Sequence, residues 1–342
     1  MIDVSGFTSA PVLDGTRWLV TVKSLDQVER RRSMLDRQRT GQVGRLAPRP
    51  VADGLLVDLH LRGGEAVVAG SQPFREPRHI VKDGLGYLLT ECGRVVHLNR
   101  DLAEIGSTRG GWFAFLHTVD IDEEGRRLIA SAGYDCVISR DQAWSAWEHG
   151  FNPTSAGVWL TDDETVAAGL EWGGMDVLLV DPSEYGEQGL VTSGRTAHIS
   201  CAVWSGDGGF LFIAGKEGAV YRVGPEWGRA DRVLSDLGRL PHGLRRLPDG
   251  GWTVTLTTRG EWRVMDDDFE TIEEWSVADV SGKHPAAGDA EWVQQAIPAG
   301  GGRWLLLDAN RGLIAVDVVR ETICRYSVPA EWCLQDALMV EQ

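Results

Sequence analysis

Cysteine is scarce and unpatterned: five residues, an odd number, with no Cys-x-x-Cys pair. That excludes a disulfide framework or a zinc ribbon as the organising principle and fits thiols kept reduced in a cytoplasm. Basic residues are outnumbered 34 to 50, for a formal charge of −16 and a pI near 4.9. So acidic a chain is a poor partner for nucleic acid or an anionic membrane. No apolar run reaches the ~20 residues of a membrane helix. The opening MIDVSGFTSAPVLDG lacks the basic start and apolar core of a signal peptide. Phosphate-binding Gly-rich loops, HExxH, GxSxG and EF-hand spacings are all missing. The expectation is a cytoplasmic protein with no motif for an organic cofactor.

What the chain does have is a repeat. Pro241 to Asp266 reads as three short strands, GLRRL, WTVTLT and EWRVMD, separated by turns at Pro248-Asp249-Gly250-Gly251 and Thr258-Arg259-Gly260. Pro presets φ, Gly accepts positive φ, and the flanking Val, Thr and Trp suit strands. The strand-turn-strand half of this unit occurs seven times. RWLVTVKS goes with GLLVDLHLRG, GYLLTECG with RVVHLNRD, and RRLIASAGYD with CVISRD. TVAAGLEWGGMD goes with VLLVD, FLFIAGKEG with AVYRVG, GWTVTLTTRG with EWRVMD, and RWLLLDANRG with LIAVDVV. A spacing of about 40–50 residues with short strands is the signature of a β-propeller. No Trp-Asp dipeptide closes the repeats, but 42 Gly and 14 Trp suit turn-rich blades with aromatic packing between them. The expected fold is all-β: one propeller domain over 1–342, seven-bladed, with six blades as the alternative.

Residues 24–53 interrupt the first blade. They carry seven arginines in an otherwise acidic protein. Ser24 and Gln27 have capping-box spacing, which predicts a helix to about Gln38 and then a loop. Later blades are expected to begin near residues 76, 115, 155, 198, 241 and 291. The tail EWCLQDALMVEQ reads as a further strand closing the ring against the first blade.

In a propeller the residues opening each blade and the loops between second and third strands reach one face, here the top. Aligned on the turn glycine, His117 and His242 fall at the same place, eight residues before Gly125 and Gly250. Glu76 and Ser200 fall there in other copies, and His79, His198 and Glu291 lie close by. His117, His198 and His242 could hold a divalent metal, or His242 and His117, supported by Glu291, could exchange protons. Each histidine could instead cap its own blade. Glu76, His79, Trp172, Arg259 and Arg311 are candidate substrate contacts. Arg30, Arg31 and Arg32 are candidate anion clamps on a lid formed by 24–53, since guanidinium binds carboxylate and phosphate bidentately. Cys92 and Cys136 read as small buried hydrophobes, and Trp144, Trp147 and His149 as an outer strand and its connection.

His242-Gly243-Leu244 followed by Pro248-Asp249-Gly250 resembles the repeat opening of NHL-type, strictosidine synthase-like and virginiamycin B lyase-like propellers; His117 to Asp141 is similar in style. The resemblance implies a catalytic or metal-binding role for His242 and His117. The expected function is acid–base chemistry, possible metal assistance included, on a small anionic molecule: an elimination, isomerisation or cyclisation. The other reading is a scaffold that docks a protein partner on the top face.

Overall fold

The computed structural model describes residues 1–29, 53–140, 142–149, 151, 158–161, 168, 176–179 and 197–340. Two short strands come first, β1 (Ile2–Asp3) and β2 (Thr8–Ser9), followed by β3 (Arg17–Val22), β4 (Gly54–Arg62) and β5 (Glu65–Phe74). β6 (Ile80–Asp83), β7 (Gly86–Thr90), β8 (Val95–Leu98) and β9 (Glu104–Thr108) form the second blade. β10 (Leu116–Ile121), β11 (Arg127–Ser131), β12 (Cys136–Ser139) and β13 (Gln142–Ser145) form the third. β14 (Val158–Thr161) and β15 (Asp176–Leu179) stand apart as a parallel pair. β16 (Ile199–Trp204), β17 (Phe210–Ala214), β18 (Ala219–Val223) and β19 (Ala230–Leu234) form the fourth blade. β20 (His242–Arg246), β21 (Trp252–Leu256), β22 (Glu261–Met265) and β23 (Thr271–Ser276) make the fifth. β24 (Val293–Pro298), β25 (Arg303–Asp308), β26 (Gly312–Asp317) and β27 (Thr322–Tyr326) make the sixth. The last strand, β28 (Leu334–Val340), returns to the first blade, whose order is β28-β3-β4-β5.

The fold is therefore an all-β propeller with six blades, not seven. The fourth repeat copy is the one that fails to make a blade. Its described strands pair parallel, whereas a blade is an antiparallel meander. Moreover β10 and β16 touch directly: the Ala202 amide donates to Thr118 Oγ1 at 3.0 Å, and the Trp204 amide to Asp120 at 2.8 Å. No blade can stand between them. Residues 27–29 are helical, and the rest of the Arg-rich insertion lies outside the described residues. Ser24 is not its cap. The Ser24 carbonyl accepts from Cys333 and Lys23 donates to the Cys333 carbonyl, so the chain is still running alongside the approach to β28.

The described residues cluster into two compact units. One holds the residues up to 80 and from 234 on, hence the first, fifth and sixth blades; the other holds residues between 81 and 233. In the first unit the C-terminal strand supplies the innermost position of the first blade, pairing antiparallel with β3. This is the expected closure, and it leaves no open inner edge. The N-terminal segment adds parallel fifth strands to two outer edges, β1 on β23 and β2 on β27. Apolar side chains fill the gaps between neighbouring blades. Trp18, Leu59, Leu305, Leu313 and Tyr326 lie between the sixth and first blades, and Trp262, Trp275, Trp304 and Leu306 between the fifth and sixth. In the second unit Leu88, Val95, Leu116 and Ile129 join the second and third blades, and Val137, Trp144, Phe210 and Phe212 the third and fourth. Among the described residues no helix is long and apolar enough to cross a membrane.

Candidate functional site

Every blade's first strand opens on polar side chains. His79 precedes β6, His117 and Thr118 lie on β10, and His198 and Ser200 flank the start of β16. His242 starts β20, Gln294 and Gln295 lie on β24, and Gln335 and Asp336 on β28. All but His79 are buried. Five of these strands shift register at that opening, between Leu116 and Val119, Ile199 and Cys201, His242 and Arg245, Val293 and Gln295, and Leu334 and Asp336. Such bulges re-aim side chains and are favoured beside binding sites. Non-glycine residues also take left-handed backbone just ahead of four first strands: Glu76, Phe115, His198 and Leu240 have φ of 48°, 50°, 55° and 50°. Each costs about 1–2 kcal/mol, and strain of this kind collects where a constellation is being held.

In the first unit these openings are joined by one polar network. Asp336, fully buried, sits at its centre: it accepts from the Ile80 amide at 3.2 Å, stands 3.4 Å from His79 Nε2, and pairs with Arg245. Arg245 Nη2 also reaches Gln295 Oε1 at 3.4 Å. Arg245 therefore spans from the fifth blade past the sixth to the first. The Thr21 hydroxyl donates to the Arg78 carbonyl at 3.0 Å and accepts from the Asp336 amide at 2.9 Å. Arg78 pairs with Glu76 at 3.1 Å. Burial pushes the His79 imidazole down to about 4; Asp336 opposes that and Arg245 adds to it.

His242 belongs to the same unit. Its Nδ1 lies 2.9 Å from Thr257 Oγ1. Burial pushes its pKa down to about 3; a hydrogen bond to the Leu240 carbonyl acts the other way, and the charges of Arg78 and Lys23 lower it further. Gly243 beside it has φ +66°, and a Cβ there would stand 2.7 Å from both Gln295 Oε1 and Thr255 Oγ1. The glycine of the His-Gly-Leu motif thus lets the sixth blade's amide come up against the fifth blade's opening. Arg259, in the next loop, is exposed.

Glu291 and Arg311 are engaged elsewhere in this unit. Arg311 Nη1 binds Glu291 at 2.6 Å and Asp308 at 2.7 Å, and its other donors reach the Val280 and Ala278 carbonyls at 2.8 and 2.7 Å. Lys283 pairs with Glu291 as well. The geometry makes this cluster a clamp on the connection between β23 and β24, with both carboxylate oxygens and the guanidinium already occupied.

In the second unit the His117 and His198 rings meet edge to face at 5.3 Å. Asp135, from the loop before β12, accepts from the Ala197 and Ile199 amides at 3.0 and 3.2 Å and so fixes the backbone on both sides of His198. Burial pushes the Cys136 thiol far up, which leaves it a packing group, and none of the five cysteines is in a disulfide. Trp144 stacks on His149 at 5.0 Å within the blade. Among the described residues no three His, Cys, Asp or Glu side chains are placed to hold a metal ion. Arg30, Arg31, Arg32 and Trp172 lie outside the described residues.

The structure thus brings His242, His79, Glu76 and Arg259 into one unit and pairs His117 with His198 in the other. Sequence reasoning missed Asp336, Arg245, Gln295, Lys23, Arg78 and Thr257. The tail has no turn glycine on which to align Asp336, and the bulge after His242 hides the direction of Arg245.

No family model matches the chain, and no curated protein matches its sequence. Solved structures do resemble it. A protein of unknown function from Bacteroides caccae is 11% identical, covering 96% of this chain and 100% of that one, at a TM-score of 0.56. A chain of a nidogen/laminin complex is 8% identical, covering 94% and 98%, at 0.53. A streptogramin B lyase is 11% identical over 74% and 83%, at 0.44. At these identities the likeness shows a β-propeller and nothing of its chemistry, and the lyase, below 0.5, carries no argument.

Proposed function

We propose that the first unit binds a small anionic molecule beside His242 and carries out acid–base chemistry on it, of the elimination, isomerisation or cyclisation class. The observation that supports this is the state of His242. It is a buried imidazole on a bulged, strained strand opening, kept neutral by burial and by the positive charges of Arg78 and Lys23. The positive field at the ring comes from Lys23 and from Arg78, which is itself paired with Glu76, and in a chain of net charge −16 such a field favours an anion there. An anion seated there cancels the Coulombic part of the depression and brings the imidazole closer to working pH, where it can exchange protons. His79, held by Asp336 at 3.4 Å, is the second proton-transfer group in reach of the same network. Arg259 is the exposed guanidinium next to the His242 loop.

A ring titration of His242 followed by NMR tests this, with phosphate and malonate as probes and malonamide as the neutral control. The anions should raise the His242 midpoint and the melting temperature, and Lys23→Gln should weaken both effects. If neither anion moves the midpoint, or Lys23→Gln responds as the native protein does, the proposal fails.

One observation favours the scaffold reading. His242 is bonded to Thr257 and to the Leu240 carbonyl, partners on or at the edge of its own blade. A purely structural His242 predicts no anion effect, together with a lowered melting temperature in His242→Gln.

A further inference from the structure

His242 is buried, so a ligand reaches its imidazole past its neighbours. One neighbour that extends to solvent is Trp292, which is half-buried. Its indole stands 6.4 Å from the imidazole, centroid to centroid, with the two planes at 50°. That is within the range of aromatic contacts. Trp292 immediately precedes β24 and is held firmly. Its Nε1–H donates to the buried Gln294 Oε1 at 2.9 Å, and its carbonyl accepts from the Ala309 amide at 2.9 Å. Glu291 before it is pinned by Arg311 and Lys283. Other half-buried tryptophans have an apolar reason for their placement: Trp112, Trp204 and Trp332 pack against core clusters. Trp292 meets an imidazole and an amide instead. A rigid, partly exposed aromatic ring beside a few polar groups is the usual anchor of a binding site.

Granted the anion site at His242, we propose that Trp292 is the wall on which its ligand lies, and that the anion is a planar aromatic one, of the aryl carboxylate class. The two halves of such a ligand match the two kinds of group at this opening. Its ring takes the flat face of the indole, and its carboxylate the positive field of Lys23 and Arg78 at the imidazole. An aliphatic anion uses only the second. The Gln294 bond fixes the indole before the ligand arrives, so little side-chain freedom is lost on binding. Trp292 is thus a specificity-determining residue, distinct from the groups that exchange the proton.

NMR titration of the full chain with benzoate, cyclohexanecarboxylate and acetate tests this, read at the His242 ring and the Trp292 indole N–H. Benzoate should bind about tenfold or more tighter than acetate. It should also bind tighter than cyclohexanecarboxylate, which is apolar but not flat. Trp292→Leu should bring benzoate down to the level of acetate and leave acetate unchanged. Trp292→Phe, which keeps a ring but loses the Gln294 bond, should retain most of the preference. Benzoate that binds no better than acetate or cyclohexanecarboxylate overturns the proposal. So does a preference for benzoate that Trp292→Leu leaves intact. Phosphate and malonate separate the two readings. If they move the His242 midpoint while benzoate gains nothing over acetate, the aromatic class falls and the anion site stands. If no anion moves it, both fall.

Discussion

A neutral imidazole buried beside cations is linked to folding through its proton. His79 and His242 titrate near 4 and 3 in the folded chain, against about 6.5 when unfolded. Between 6.5 and those values the unfolded chain binds more protons than the folded one, so stability is full above pH 6.5 and falls as the pH drops. Each such histidine costs up to about 1.4 kcal/mol per pH unit inside that window. The window from 6.5 to 5 is the diagnostic one, because most carboxylates are still ionised there. Chemical denaturation at several pH values should show stability dropping through it. His242→Gln, which keeps a hydrogen-bonding amide but cannot titrate, should make that drop shallower. An unchanged slope would mean that the ring is protonated in the fold and that the surrounding charges are arranged differently. Asp336 works in the opposite sense. It favours the charged His79, and Arg245 offsets it, so the network holds the ring in place while leaving it neutral.

At the scale of the strand, the bulge at each opening explains both what could be read from the residues and what could not. Turn residues and β-branched runs located the strands: blade openings expected near 76, 115, 198, 241 and 291 fall at Ile80, Leu116, Ile199, His242 and Val293. Side-chain direction within a strand is read from a period of two, and a bulge breaks that period where the polar residues stand. His242 could therefore be found by its spacing, while Arg245, three residues later, could not be assigned to Asp336 on a strand 91 residues away. Spacing points to Glu291 and the loop between second and third strands to Arg311, but in the structure the two pair with each other, and Arg311 with Asp308. Gly243 offers a direct test of the opening. Gly243→Ala forces a Cβ to 2.7 Å from two side-chain oxygens at φ +66°. It should destabilise by about 1–3 kcal/mol, read by denaturant midpoint. A Gly251→Ala comparison separates the two causes, since there the clash is with the Met265 carbonyl, inside one blade. If Gly243→Ala is neutral, the sixth blade does not approach the fifth as closely as Gln295 and Thr255 indicate.

At the scale of the chain, the count of blades turns on what happens between the third and fourth. Seven repeat copies are present in the residues, yet a repeat becomes a blade only if it buries both faces against neighbours. Here those faces are taken. Thr118 and Asp120 of β10 bond the backbone of β16 directly, and Val137, Trp144, Phe210 and Phe212 fill the gap between the two blades. The ends of the intervening segment also converge on one residue. The Ala146 amide donates to the Asp135 carbonyl at 2.9 Å, and the Ala197 amide to the Asp135 carboxylate at 3.0 Å. The chain leaves the third blade and returns to the fourth at almost the same point, so residues 152–196 are not needed to join the two blades. Replacing them with a Gly/Ser linker of about eight residues spans the gap easily, and loop entropy changes little with length. That variant should fold, with native far-UV dichroism and a melting temperature within a few degrees of the intact chain. A seventh blade in the segment would give the opposite result: cutting it out would open the joint between β10 and β16 and unfold the protein. The same variant bears on function. Trp172 is among the replaced residues, so a replacement that preserves the fold and the His242 anion response would confine that chemistry to the first unit, and one that preserves the fold but abolishes the response would count against a site built from the first unit alone.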